Sequence, residues 1–183
     1  MKVMLDIDDV IADYVTAMIQ TYGEPVCWPE GPDVLKRMFP QVVLAHHFAQ
    51  HDFLPYIPPM AGAVEALRDL DDVGLEFDLV TARPLNQDTA TYKWLEDNYF
   101  PAPGRIAFAP PARPHSPAHK AGLMVHYTHV VDDTPSVITE AAKQGRKALL
   151  FDRPWNRSCQ DGIRVLGWEH LFTVLMDDLE LEG

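Results

Sequence analysis

Short apolar runs alternate along this chain with longer stretches whose apolar residues return at helical spacing. The runs are Lys2–Ile7, Glu76–Thr81, Arg105–Ala109, His129–Asp132, Lys147–Phe151 and Ile163–Leu166. Each has the length of a strand rather than of a helix. Helical patterns fit Ala63–Asp72, Gln87–Tyr99, Ala118–Met124, Pro135–Lys143 and Trp168–Leu179. In the first of these Val64, Leu67 and Leu70 fall on one face. Pro135 suits a first helical turn, and Gly145 follows the same helix where a left-handed cap sits. Strands alternating with helices predict βαβ units, hence a parallel sheet with helices on both faces.

One segment breaks the rhythm. About 68 residues separate the first run from the second, far more than a crossover helix requires. Residues 14–59 carry Gly23, Pro25, Pro29, Gly31, Pro32 and Pro40, with helix-like patterns at Val34–Met38 and Val42–Phe48. Pro55, Pro58 and Pro59 close the segment. We read 14–59 as a small helical cap inserted after the first strand, and 1–13 with 60–183 as the core domain. The expected class is α/β, a Rossmann-like three-layer parallel sheet whose cap overhangs its C-terminal edge. Ligands bind at that edge in open α/β sheets.

The chemistry-bearing residues fall at the ends of predicted strands. Asp6-Ile7-Asp8 closes the first, and a period of two points both carboxylates to one side. Adjacent carboxylates repel, so the pair suggests a Mg²⁺ site with one Asp as nucleophile and the other as acid/base. Capping of the next helix by Asp8 or Asp9 is the plain alternative. Thr81, followed by Ala82-Arg83, ends the second strand and can offer a hydroxyl and amides to a phosphate oxygen. Asp132-Asp133 is a second carboxylate pair at a strand end, suited to completing the metal shell. Lys120 opens the preceding helix and can neutralise the cluster and hold a phosphoryl group; Lys93 is its rival one helix earlier. Asp6, Asp8, Asp132 and Asp133 carry −4 between them, and Mg²⁺ with one lysine returns +3. Protonation of Asp8, as a general acid requires, would remove the rest.

Composition narrows the partners. Lys and Arg total 15 against 27 Asp and Glu, a formal charge of −12. That disfavours a nucleic-acid polymer or an anionic membrane, but a bound Mg²⁺ reverses the local sign and admits a small phosphorylated substrate. No apolar stretch approaches a membrane span, and no charged-then-apolar leader precedes the first run. Cys27 and Cys159 match no metal spacing and suit reduced thiols in a cytoplasm. A homodimer is left open.

Asp6-Ile7-Asp8, Thr81 after Leu79-Val80, Lys120, and Asp132-Asp133 after Val130-Val131 occur in this order. Together they resemble the four motifs of the haloacid dehalogenase-like (HAD) hydrolase superfamily. The resemblance implies that Asp6 attacks phosphorus to form an aspartyl-phosphate. Asp8 would protonate the leaving oxygen and then deprotonate water, while Thr81 and Lys120 hold the phosphate. Asp6, the carbonyl of Asp8 and one of Asp132 and Asp133 would hold Mg²⁺. Dehalogenases of the superfamily lack the second Asp, so Asp8 favours phosphate esters. Three further stretches are similar to the 5′(3′)-deoxyribonucleotidase family and its bacterial and phage relatives: His51-Asp52-Phe53-Leu54, Ile57 to Ala63, and Phe77 to Arg83. So is Leu149 to Arg157. Ala82-Arg83 after Thr81 and a short, proline-rich cap depart from the animal enzymes.

The expected activity is therefore Mg²⁺-dependent hydrolysis of (deoxy)nucleoside monophosphates. A phosphatase of another small metabolite such as a sugar phosphate, or a silent binding module, is the alternative. Tyr14, Tyr22, Trp28, Phe39 and Phe48 are aromatic candidates for a base, though core packing is the commoner fate of each. His46, His47 and His51 suit solvated or capping roles better than a metal cluster. Arg153 and Arg157 follow the fifth strand, where a route to the site and a surface loop are equal alternatives.

Overall fold

The computed structural model describes residues 1–29, 34–42, 51–111 and 117–182. Six strands, β1 (Lys2–Leu5), β2 (Glu76–Pro84), β3 (Ile106–Ala109), β4 (His129–Asp132), β5 (Lys147–Phe151) and β6 (Ile163–Val165), form one parallel sheet. Their order is β3-β2-β1-β4-β5-β6. The helices are α1 (Tyr14–Tyr22), α2 (Val34–Met38), α3 (Ala63–Asp72), α4 (Asp88–Asp97), α5 (Lys120–Leu123), α6 (Pro135–Lys143) and α7 (Trp168–Glu182). This is the Rossmann-like α/β arrangement that the alternating pattern predicts.

The pleat sorts each strand's residues into two cores. Val3, Leu5, Phe77, Leu79, Val131, Leu149 and Phe151 face one side, where they meet Leu67 and Leu70 of α3 and Leu171 and Leu175 of α7. Met4, Val80, Val130, Ala148 and Leu150 face the other, against Met124, Tyr127 and the α6 residues Val137, Ile138 and Ala141. Both faces are apolar because both are covered, which is why these strands read as continuous apolar runs. Met38, Phe39, Phe53 and Leu54, from the 14–59 segment, belong to the first core.

Element ends differ from the sequence pattern where side chains or turns intervene. β1 stops at Leu5, not Ile7. The Asp6 N–H still donates to the Val131 carbonyl, but the Ile7 carbonyl accepts from Val10, Ile11 and Ala12. A tight turn has replaced the ladder there. β2 runs on to Pro84, with a register shift against β3 between Val80 and Pro84. The 118–124 pattern splits into two 3₁₀ turns flanking the four-residue α5, which contains Gly122. The 87–99 pattern becomes a 3₁₀ turn at Leu85–Gln87 followed by α4. The Val42–Phe48 pattern falls, beyond Val42, outside the described residues, as do His46, His47 and the His51 side chain. Among the described residues no helix is long and apolar enough to cross a membrane.

Candidate active site

The sheet order brings three chemistry-bearing strand ends together. β1 lies between β2 and β4, and Leu5 pairs with both Leu79 and Val131. Asp6 and Asp132, one residue beyond this level, and Thr81, two beyond it within β2, therefore lie close together towards the C-terminal edge. The connections leave in opposite directions on either side of β1, which opens a crevice there.

Asp6, Asp132 and Asp133 are buried, and one oxygen of each lies within 4.8 Å of the other two. Lys120 sits between two of them, its Nζ 2.8 Å from Asp6 Oδ2 and 2.7 Å from Asp132 Oδ2. Burial alone would lower the Lys120 pKa, but the attraction of Asp132 and Asp6 outweighs it and holds the ammonium above its ordinary value. Burial pushes the Asp6 carboxyl well above the usual range; Lys120 opposes, and Asp132 and Asp133 add to the rise. Burial and the Asp132 charge likewise push Asp133 up to about 6, against the Trp155 N–H, Lys120 and Arg153. One lysine is thus too little positive charge for three enclosed carboxylates. Clustered hard oxygen donors short of a cation fit a divalent ion such as Mg²⁺ or Mn²⁺.

The turn after β1 is fixed from outside. Asp9 adopts φ 60°, left-handed backbone that Asp tolerates better than most residues. Its carboxylate accepts the Val15 N–H, and its carbonyl accepts from Arg153 Nε and Nη2 at 2.9 and 2.6 Å. The Trp168 indole donates to the Val10 carbonyl at 2.8 Å. Asp132 Oδ1 accepts the Thr134 N–H, and Asp133 Oδ2 accepts the Trp155 indole N–H at 2.7 Å. Asn156 Nδ2 donates to the carbonyls of Asp133 and Phe151.

Asp8 is placed differently from the expectation that both carboxylates of Asp-x-Asp share one spot. Because β1 has already ended, its side chain turns to Arg83, whose Nε lies 3.0 Å from Oδ2 and whose Nη2 lies 2.6 Å from Oδ1. Arg83, a substrate-binding candidate, turns its fork to Asp8. Thr81 is fully buried, and its hydroxyl accepts the Arg83 N–H at 3.1 Å. Lys93 is not brought to the cluster: it is exposed on α4 and pairs with Asp97.

A cavity of about 240 Å³ lies against these groups. Asp6, Asp8, Asp133 and Arg83 form its polar side with Ala82 beside them, while Tyr14, Val15, Val34, Leu35, Phe53 and Leu54 from the 14–59 segment complete the lining. Among the aromatic candidates, Tyr14 reaches the cavity, Phe39 is in the core and Trp28 stacks on Trp155 at 6.4 Å. Tyr22 packs at the core's margin, and Phe48 lies outside the described residues. Arg157 is exposed. Neither strand period nor helix period signals the Asp8–Arg83 pair, 75 residues apart, or the Asp133–Trp155 contact, 22 apart.

Comparison with known proteins gives a family and a shared fold. The family described as 5′ nucleotidase, deoxy (pyrimidine), cytosolic type C protein matches residues 1–178. A candidate 5′(3′)-deoxyribonucleotidase from Bordetella pertussis is 27% identical over 193 aligned positions, covering 98% of this chain and 97% of that protein. A candidate nucleotidase from Oceanobacillus iheyensis is 31% identical over 111 residues, which span 61% of this chain and 58% of that relative's length. A haloacid dehalogenase-like hydrolase from Streptococcus pneumoniae shares the fold, with a TM-score of 0.65 at 13% identity over 95% of this chain and 97% of the other.

Proposed function

We propose, starting from a chain that belongs to the cytosolic type C 5′-nucleotidase family and to the HAD hydrolases, that it hydrolyses (deoxy)nucleoside monophosphates with the help of Mg²⁺. The chain is a phosphatase of nucleotidase type. The observation that carries it is Asp6, buried beside Lys120 and two further carboxylates at the edge of a cavity that Asp8 also lines.

In this reading Asp6, Asp133 and the main-chain carbonyl of Asp8 hold the ion, with Asp132 supporting it through Lys120. Bound there, the ion would offset the negative charge of the phosphoryl oxygens and let the Asp6 carboxylate approach phosphorus. Asp6 Oδ forms a bond to phosphorus as the ester P–O bond breaks, and Asp8 gives its proton to the departing alkoxide. Asp8 then takes a proton from water, whose oxygen attacks the aspartyl-phosphate and frees Asp6. Lys120, Thr81 and the 82–83 backbone balance charge on the transferred group. The 14–59 segment acts as the cap that encloses the substrate, and a cytoplasmic location suits the free thiols Cys27 and Cys159.

The test is phosphate release from a panel of nucleoside monophosphates, deoxynucleotides and sugar phosphates, with Mg²⁺ and with EDTA. Release concentrated on deoxynucleotides and abolished by EDTA is expected. Asp6→Asn should lower turnover by several powers of ten, since covalent and electrostatic contributions are lost together. Release from sugar phosphates alone refutes the nucleotide assignment, and activity of Asp6→Asn within about tenfold of wild type refutes the nucleophile.

A further inference from the structure

Arg83 sits beside the cavity yet has little left to offer a ligand. It is 4% exposed. Nε approaches both Asp8 oxygens, at 3.2 and 3.0 Å, and Nη2 reaches Oδ1 at 2.6 Å. Nη1 donates to the Thr91 hydroxyl at 3.2 Å, and the guanidinium lies 5.9 Å from the centre of the Trp94 ring. Trp94 is fixed in turn by its indole N–H to the Ile57 carbonyl, 2.7 Å away. A planar fork presents five donors in fixed directions. Here Nε and Nη2 are directed at a carboxylate and Nη1 at a helix side chain, so three of the five N–H groups are engaged. Asp8 is otherwise a short side chain 27% exposed at the cavity wall, with no second charged partner among the described residues.

We propose that Arg83 is a positioning residue for Asp8: its guanidinium, braced by Thr91 and Trp94, fixes the direction in which the Asp8 carboxyl group meets the substrate oxygen, and it does not bind the phosphoryl group. This rests on the function assigned above to Asp8. The effect of losing such a brace is large because proton transfer needs hydrogen-bond geometry, and a displacement of about 1 Å can slow a reaction about 10²-fold. Lysine cannot replace it, since a single ammonium reaches one carboxylate oxygen and leaves the other unheld.

The experiment is a double-mutant cycle on a deoxynucleoside monophosphate, with Arg83→Gln, Asp8→Asn and both together, each first checked for thermal unfolding. Arg83→Gln is expected to lower kcat about 10- to 100-fold with KM moving less than about threefold. In the Asp8→Asn background the same change should add less than about threefold, because the group it positions is already gone. Arg83→Lys should recover only part of the loss. Thr91→Val, which leaves both partners in place, should lower kcat about two- to fivefold without altering KM. Should Arg83→Gln fail to fold, the cycle is run with Arg83→Lys. A KM raised more than about tenfold, or losses that multiply fully in the double variant, would overturn the positioning role and make Arg83 a phosphate ligand. An Asp8→Asn enzyme as active as wild type would instead refute the reading of Asp8, and this inference with it.

Discussion

Asp6 and Asp8 are two positions apart and occupy different electrostatic settings. Asp6 shares Lys120 with Asp132 in a fully buried cluster, whereas Asp8 lies at the cavity wall against Arg83. Two carboxylates in unlike surroundings are how one site separates a nucleophile from an acid/base. The division leads to a graded expectation for Asp8→Asn. On a nucleotide, whose alkoxide leaving group needs a proton, turnover should fall about 10²- to 10⁴-fold. On an aryl phosphate with an activated leaving group, release of the phenol in the first turnover should fall much less, and later turnovers should be slow because water still lacks its base. Rapid-quench measurement of phenol and phosphate separates the two steps. Equal loss of both from the first turnover would count against Asp8 as the acid.

The elements matter through what their ends support. The 3₁₀ turn Pro154–Asn156 after β5 does not reach the cavity with a catalytic group, yet it props the end of β4. Trp155 donates to Asp133 Oδ2, and Asn156 holds the Asp133 carbonyl. Partners of this kind orient ligands, and their loss commonly lowers metal affinity about 10- to 100-fold. Trp155→Phe keeps the ring and removes the N–H, so Mg²⁺ affinity measured by titration calorimetry should weaken by that factor while Tm without metal changes little. Unchanged affinity would make Trp155 a packing residue only. Such contacts also mark the limit of what the sequence discloses. The six strands and the helices of the core follow from period and length, because each must cover a sheet face. Asp6 and the 132–133 pair follow from their places at strand ends, and Lys120, at a helix start, from the four-motif resemblance. The end of β1 at Leu5 and the turn of Asp8 toward Arg83 do not, because they depend on Ile7 accepting three N–H groups and on a cation 75 residues away.

For the whole molecule, the cluster of Asp6, Asp132 and Asp133 couples stability to both pH and metal. The formal charge of −12 sets a general background, but these groups differ from the rest in being buried close together. Asp6 lies well above the usual carboxylate range and Asp133 near 6, for reasons of burial and mutual repulsion. A carboxyl whose pKa is raised by folding contributes stability below its unfolded value, about 3.9, and that contribution is lost as pH rises through the folded value. Without metal, the cluster should therefore weaken the fold as pH climbs from about 4 past 6. A divalent cation reverses the sign, because it binds the ionised carboxylates and displaces their protons. The rise in Tm given by millimolar Mg²⁺ should be small at pH 5 and grow through pH 6 to 7.5. Asp133→Asn removes one ligand and one charge, so it should raise Tm in EDTA at pH 7.5 and reduce the Mg²⁺ effect at the same pH. Scanning fluorimetry at several pH values, with Mg²⁺ or EDTA, measures both. A Mg²⁺ effect of the same size at pH 5 and 7.5 would mean that the ion does not bind these carboxylates, whatever else it does to turnover.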